Sequence, residues 1–177
     1  VNDDNPEVAE ALRRGVPVIK YAQMLGRLTL EKATIAVAGC HGKTTTTGLL
    51  AASLRAAGLD AVACGNIGRA FPTTAREHHD VLVVEASSFQ LATQESFRPR
   101  VSVLLNLAPD HLDWHGSFDA YAAAKARIFA RQGPGDVHVG NRDDEGAAAM
   151  SRSAPCEVRW FTTGEPSAQD AGVRDGR

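Results

Sequence analysis

The segment Gly39-Cys40-His41-Gly42-Lys43-Thr44-Thr45 carries the most chemistry in its residue types. It follows the apolar run Thr34–Ala38 and opens a stretch, Thr44–Ala57, that reads as a helix closed by Gly58. Free backbone N–H groups at a helix start, aided by the helix dipole, make an anion site. A lysine there reaches terminal phosphates, and a threonine hydroxyl can ligate Mg²⁺. The commoner pattern, Gly-x-x-x-x-Gly-Lys, would place a glycine at Val37, so this loop is a shorter variant. A glycine turn before a surface helix is the bland alternative. Gly-Lys-Thr-Thr between a buried strand and a helix favours phosphate, with Gly39, Gly42, Lys43, Thr44 and Thr45 as the candidate nucleotide contacts.

Three further features hold candidate chemistry. Glu85 ends the apolar run Val81–Val84 and enters Ala86-Ser87-Ser88-Phe89-Gln90. Beside a phosphate loop, such a carboxylate can hold Mg²⁺ or orient a water; by itself it is as readily a side chain satisfied by loop amides. Asp110-His111-Leu112-Asp113-Trp114-His115 is dense in metal-ligand types, with a solvated polar loop and a zinc site as the competing readings. Neither a cysteine pair nor His-Glu-x-x-His supports zinc, and His78-His79 reads as a polar pair at a helix end. Lys125 lies on the apolar stripe Phe118, Tyr121, Ala122, Ile128, Phe129 of a helix capped by Ser117. Its stem could pack while its amine escapes to water, or the amine could point into a site where its pKa is tuned.

The elements that must position these groups alternate. Asn5 and Pro6 start a helix that should reach Arg14 and stop at Gly15; Val16–Ile19 reads as a short strand and Tyr21–Leu28 as a weaker helix. Strands are then expected at Thr34–Ala38, Asp60–Cys64, Val81–Val84, Val101–Leu105, Val137–Val139 and Val158–Thr162. Helices are expected at Thr44–Ala57, Phe118–Gln132 and near Glu145–Met150. This alternation predicts an α/β fold, a mostly parallel sheet with helices on both faces. Ligands in such sheets sit at the carboxyl ends of the strands. The loops at Gly39–Thr45, Gly65–Gly68, Glu85–Gln90 and Asp110–His115 all follow strands and can converge on one edge.

Composition narrows the function classes. The chain has 177 residues, 44% hydrophobic and 23% charged, as ordinary globular domains do, which excludes wholesale disorder and a disulfide scaffold. Nineteen basic against 21 acidic residues give a net charge of −2, so no global basic field exists to hold nucleic acid. No apolar run approaches the ~20 residues of a membrane span. Three cysteines without paired spacing suit reduced thiols in a cytoplasmic protein. Val1 is no initiator methionine, and Val173–Arg177 reads as a turn within a domain, so a fragment of a longer protein is expected.

Taken together, Gly42-Lys43-Thr44-Thr45, Gly65-Asn66-Ile67-Gly68, Glu85-x-Ser87-Ser88-Phe89-Gln90-Leu91, Asn106-x-x-Pro109-Asp110-His111-Leu112-Asp113 and Tyr121-x-x-Ala124-Lys125 resemble the central domain of the Mur ligases. Asn141-Arg142-Asp143-Asp144 resembles a family turn after a strand, and the likeness runs from about Thr34 to Thr163. The resemblance implies three domains. Residues 1–30 would be the tail of the UDP-sugar domain and its linker, and 31–177 a truncated, P-loop NTPase-like central ATP-binding domain; the C-terminal amino-acid-binding domain would be absent.

It also implies an ATP-dependent amide ligase of peptidoglycan precursor synthesis. Such a ligase makes an acyl phosphate on the UDP-muramoyl substrate that the amino acid's amine then attacks. Lys43 and the loop amides would hold ATP phosphates, and Thr44 and Glu85 one Mg²⁺. His111 and a carbamylated Lys125 would hold a second Mg²⁺, while Asn66, Ser87 and His111 touch the muramoyl substrate. Lys43, Glu85, His111 and Lys125 are the catalytic candidates. The implied setting is a cytoplasmic monomer with small-molecule partners, no nucleic acid and no membrane insertion.

Within the family the chain is mixed. Cys40 and His41, with Asp4-Asn5-Pro6-Glu7 and Gly15-Val16-Pro17-Val18, lean toward the L-alanine-adding branch. Everything from Gly65 onward leans toward the D-glutamate-adding branch, which is the preferred expectation. A P-loop ATPase or kinase outside peptide ligation, and a binding homologue without ligase activity, are the alternatives.

Overall fold

The computed structural model describes residues 5–19, 21–30, 32–167 and 170–172; the expected turn at Val173–Arg177 lies outside them. Helix α1 (Pro6–Arg13) begins as the sequence predicts, with Asn5 Oδ1 accepting from the N–H of Glu7 at 2.9 Å. The stretch Val16–Ile19, expected as a strand, is irregular and exposed. Pro17 removes a ladder donor, and among the described residues no strand pairs with the segment. Helix α2 (Tyr21–Thr29) runs against the segment before the fourth strand: a Cβ on Gly26 would stand 2.7 Å from Ser96 Oγ. Thr29 Oγ1 accepts from the Arg98 N–H at 3.1 Å.

The sheet comprises β1 (Thr34–Ala38), β2 (Ala61–Gly65), β3 (Val81–Glu85), β4 (Val101–Leu104), β5 (Val137–Asn141), β6 (Glu157–Phe161) and a short β7 (Asp170–Ala171). Its order is β2-β3-β1-β4-β5-β6-β7 and every pairing is parallel. The helices between strands are α3 (Lys43–Ala56), α4 (Phe71–Thr74), α5 (Ser88–Thr93), α6 (Leu112–His115), α7 (Phe118–Ala126) and α8 (Glu145–Ser151). The two-residue period of β1 splits the core. Ala36 and Ala38 pack with Leu91, Phe97, Leu104, Ile128 and Phe129 on one face, while Val37 packs with Ala51, Val83 and Val103 on the other.

Helix α7 is shorter than the expected Phe118–Gln132. After Ala126 the chain tightens into i→i−3 bonds, Ile128 N–H to Lys125 O at 3.0 Å and Phe129 N–H to Ala126 O at 3.2 Å. Gln94 binds the freed Arg127 carbonyl at 3.4 Å. Of the stripe, Tyr121, Ile128 and Phe129 are buried, whereas Phe118 at the helix start is exposed.

One polar group is sealed into the sheet. His138 Nδ1 meets Ser102 Oγ at 2.7 Å and its Nε2 meets Ser151 Oγ at 2.9 Å. Ser102 donates its single proton to Gln132 Oε1, so His138 donates from Nδ1 and accepts at Nε2 as a neutral ring. Burial pushes its pKa down to about 4.

Register builds the functional edge. Val37 pairs with Glu85, Gly65 with Glu85, Ala38 with Leu104, and Leu104 with Gly140. The ends of β2, β3, β1, β4 and β5 therefore stand in one row. β1 is central, with β3 on one side and β4 on the other, so the loop after β1 leaves at the point where strand order reverses.

Candidate functional site

The loop after β1 enters α3 through Gly42, whose φ of 80° is the left-handed region open to glycine. No side chain caps this helix, so the N–H groups of its first turn point out of the strand edge without a side-chain acceptor. Lys43 Nζ donates to its own loop, to Cys40 O at 2.7 Å. Thr44 Oγ1 donates to Glu85 Oε2 at 2.9 Å.

Glu85 is buried at the end of β3. Its second oxygen accepts from Asn66 Nδ2 at 2.9 Å, and the Glu85 carbonyl accepts from the Asn66 N–H at 3.0 Å. Gly65 makes this junction possible, since a Cβ there would stand 2.5 Å from Glu85 O. The carboxylate is thus held by two neutral donors, and among the described residues it has no cationic partner. A buried, uncompensated carboxylate beside a threonine hydroxyl suits a hard divalent cation, so Thr44 and Glu85 fit Mg²⁺.

Lys125 is buried, which favours the inward reading of the stripe over the escaping amine. Its Nζ donates to Gly39 O at 2.8 Å and lies 4.6 Å from the centroid of the Tyr121 ring. Burial lowers its pKa to about 8, with Cys40 and Asp110 opposing the shift and Lys43 adding to it. Tyr121, one turn earlier, places its hydroxyl 2.8 Å from Cys40 Sγ. Two consecutive turns of α7 therefore brace the phosphate loop from below.

His111 stands in the left-handed region at φ 51° as the residue before α6. Its ring lies 4.8 Å from the Phe89 ring, and its Nε2 lies 3.5 Å from Asp110 Oδ2. Among the described residues, no hydrogen bond or ion pair joins His111 to Lys125. Among the described residues, no three His, Cys, Asp or Glu side chains converge as a metal centre. A cationic Lys125 does not fit a metal either, so a second ion would require it to become an oxygen donor. Ser87 is the N-cap of α5 in a capping box: its Oγ accepts from the Gln90 N–H at 3.3 Å, and Gln90 Oε1 accepts from the Ser87 N–H at 3.0 Å.

The structure adds residues to which the sequence gives no role. Asn106 bonds the phosphate loop with both ends of its amide. His115 Nε2 meets Ser88 Oγ at 3.0 Å, and its ring packs between Phe89, Trp114 and Tyr121. Burial chiefly lowers its pKa, with His111 and Lys125 adding to the effect. Asn106 had one legible signal, its place just beyond the end of an apolar strand; His115 was hidden among polar loop residues. His79 bonds Asp60 at 3.0 Å and Glu77 at 3.1 Å, as a polar pair on the surface side.

A parallel α/β sheet with a glycine–lysine loop at its switch point, a buried carboxylate on the next strand and a buried lysine beneath the loop defines the class. The chain belongs to the Mur ligase middle domain family, whose profile matches residues 37–174. Among its relatives, the UDP-N-acetylmuramoylalanine–D-glutamate ligase of Mycobacterium tuberculosis is 43% identical over 177 residues, covering 96% of this chain and 35% of that protein. The ligase of the same name from Acidobacterium capsulatum is 41% identical over 175 residues, covering 98% and 38%. This chain therefore spans little more than a third of the relatives it matches. Among solved structures, the UDP-N-acetylmuramate:L-alanyl-gamma-D-glutamyl-meso-diaminopimelate ligase from Neisseria meningitides superposes with a TM-score of 0.71 at 24% identity, over 95% of this chain and 60% of that one. A UDP-N-acetylmuramoyl-L-alanyl-D-glutamate–2,6-diaminopimelate ligase superposes at 0.65 with 25% identity, over 87% and 38%. No helix among the described residues is long and apolar enough to cross a membrane.

Proposed function

We propose that this chain is the ATP-binding part of a cytoplasmic, monomeric UDP-N-acetylmuramoylalanine–D-glutamate ligase. Residues 1–30 lead in from a UDP-sugar domain, and 31–177 form the central domain. The observation that carries the reading is the Thr44–Glu85 bond at the mouth of the phosphate loop, in a chain 43% identical to a relative of that name. The signature of the L-alanine branch is confined to residues 4–18 and to loop residues 40 and 41. Those loop residues shape a phosphate loop, which every branch shares.

In this reading Lys43 and the first-turn N–H groups of α3 bind the β and γ phosphates of ATP. Thr44 and Glu85 would hold Mg²⁺, which when bound would supply positive charge to the phosphates. The muramoyl carboxylate attacks the γ-phosphorus and ADP leaves, giving an acyl phosphate. The amine of D-glutamate then attacks the acyl carbon, loses a proton and expels phosphate. The protein's contribution is position and charge. Asn66, Ser87 and His111 contact the acyl end of the muramoyl substrate.

Lys125 is the carbamylation site. Its neutral amine attacks the carbon of CO₂, a C–N bond forms, a proton is released, and a cation becomes a carboxylate-like anion. The lowered pKa supports this, since more of the amine is neutral near pH 7 than for an exposed lysine. Carbamylated Lys125 and His111 would then be the residues to hold a second Mg²⁺. The test of the whole reading is ADP release by the full-length protein that depends on both UDP-N-acetylmuramoyl-L-alanine and D-glutamate. ADP release that ignores the muramoyl carboxylate would point to an ATPase or kinase outside peptide ligation.

A further inference from the structure

We propose that Asn106 is the positioning residue of the phosphate loop, fixing which backbone N–H groups remain free for the nucleotide. The inference rests on the ATP-binding reading above. Asn106 Oδ1 accepts from the Cys40 N–H at 2.7 Å and from the His41 N–H at 2.9 Å, and its Nδ2 donates to His41 O at 3.1 Å. A side-chain amide can accept two bonds and donate at once. Aspartate in its place would accept both N–H bonds but turn an anionic oxygen toward the His41 carbonyl. The amide's orientation follows from its partners, because the opposite one would set NH₂ against two N–H donors.

Two loop N–H groups are thereby occupied by protein. The phosphates are left with those of Gly42, Lys43, Thr44 and Thr45, where no side chain caps α3. This suits a loop shorter than the common form, with Val37 already inside β1 where the longer pattern has its first glycine. The bracing comes here from the loop that follows β4. Space for it depends on Gly39, since a Cβ there would stand 3.0 Å from Leu105 Cβ and 3.3 Å from Asn106 Oδ1. Lys125 and Tyr121 hold the same loop from α7, so losing Asn106 loosens the loop without releasing it.

The test uses the full-length protein as wild type, Asn106→Ala, Asn106→Ser and Lys43→Ala. Three quantities are read: Mg·ADP affinity by calorimetry, KM and kcat for ATP, and amide hydrogen exchange at Cys40 and His41 without nucleotide. Asn106→Ala is expected to weaken Mg·ADP binding about tenfold and raise KM for ATP by a similar factor, the size of losing bonds worth one decade of affinity. KM for the muramoyl substrate should move less than about twofold, and exchange at Cys40 and His41 should quicken about tenfold or more. Asn106→Ser, too short to reach both amides, should move each quantity in the same direction and serves if the alanine variant does not fold. Unchanged exchange at Cys40 and His41, or faster exchange with unchanged ADP affinity, overturns the proposal. So does a fall in kcat with KM for ATP unchanged, which is the pattern of lost folded protein. Failure of the ATP-binding reading looks different: wild type does not bind Mg·ADP, or Lys43→Ala binds it as wild type does, and the proposal falls with it.

Discussion

Lys43 carries a fixed positive charge at the start of α3, where its amine donates to a loop carbonyl. Removing it takes charge away from phosphates that grow more negative during transfer. Lys43→Ala in the full-length protein should lower kcat/KM by about 100-fold or more, with the thermal midpoint little changed. Unchanged turnover would dismiss the loop as a phosphate site. Lys125 makes a second prediction at this scale. Activity should fall in bicarbonate-free buffer and return with CO₂, and ¹³C-labelled bicarbonate should yield a carbamate carbon signal that Lys125→Ala lacks. Short carboxylates such as formate or acetate should partly restore Lys125→Ala. Full activity of that variant without them would remove the residue from the mechanism. Lys125 was half legible in the sequence: its place on an apolar stripe flagged it, and periodicity could not separate a buried amine from a snorkelling one. Asn106 shows the other limit: its place beyond an apolar strand is legible, but its bond to backbone 65 residues away is not.

Among the elements, long periodic segments were legible and short ones were not. β1, β3 and α3 follow from apolar runs and glycine stops, and their ends in the structure lie within one residue of expectation. The short helices α4, α5 and α6 were missed because four to six residues hold too little periodicity. Val16–Ile19 had the composition of a strand and lacked a partner, which composition does not report. The α5 cap is legible as Ser87-x-x-Gln90, although the resemblance assigns Ser87 to the substrate. Ser87→Ala should destabilise the chain by about 1 kcal/mol in denaturant unfolding, the usual cost of an N-cap. No loss would show that the capping box contributes nothing.

His138 tests the sheet itself. Its folded pKa of about 4 lies below the ordinary 6.5, so the unfolded chain takes up the proton first as pH falls. Its contribution is complete above pH 6.5 and is lost as pH falls from there toward 4, in all about 3 kcal/mol. His138→Gln should be less stable at pH 7 and show a shallower loss across that window. An equally steep loss in the variant would assign the acid sensitivity elsewhere.

At the scale of the whole molecule, register gathers four separate sequence motifs onto one edge. β1 lies between β3 and β4, and the ends of β2, β3, β1 and β4 are level, so residues 39–45, 65–68, 85–90 and 106–115 all leave from the same row. The strand-end rule predicted this convergence, and the strand order showed which loops are neighbours. The chain spans 35% of its Mycobacterium tuberculosis relative, so the 177 residues by themselves should bind Mg·ATP and form no amide, lacking whatever brings the amine to the acyl phosphate. Amide product from the 177 residues would refute that division of labour. The central claim is the D-glutamate assignment, and phosphate release by the full-length protein tests it most directly. One mixture contains ATP, UDP-N-acetylmuramoyl-L-alanine and D-glutamate; the other contains ATP, UDP-N-acetylmuramate and L-alanine. The account predicts phosphate release in the first mixture and none above background in the second. Release only in the second would contradict it and make the amino-terminal signature the better guide.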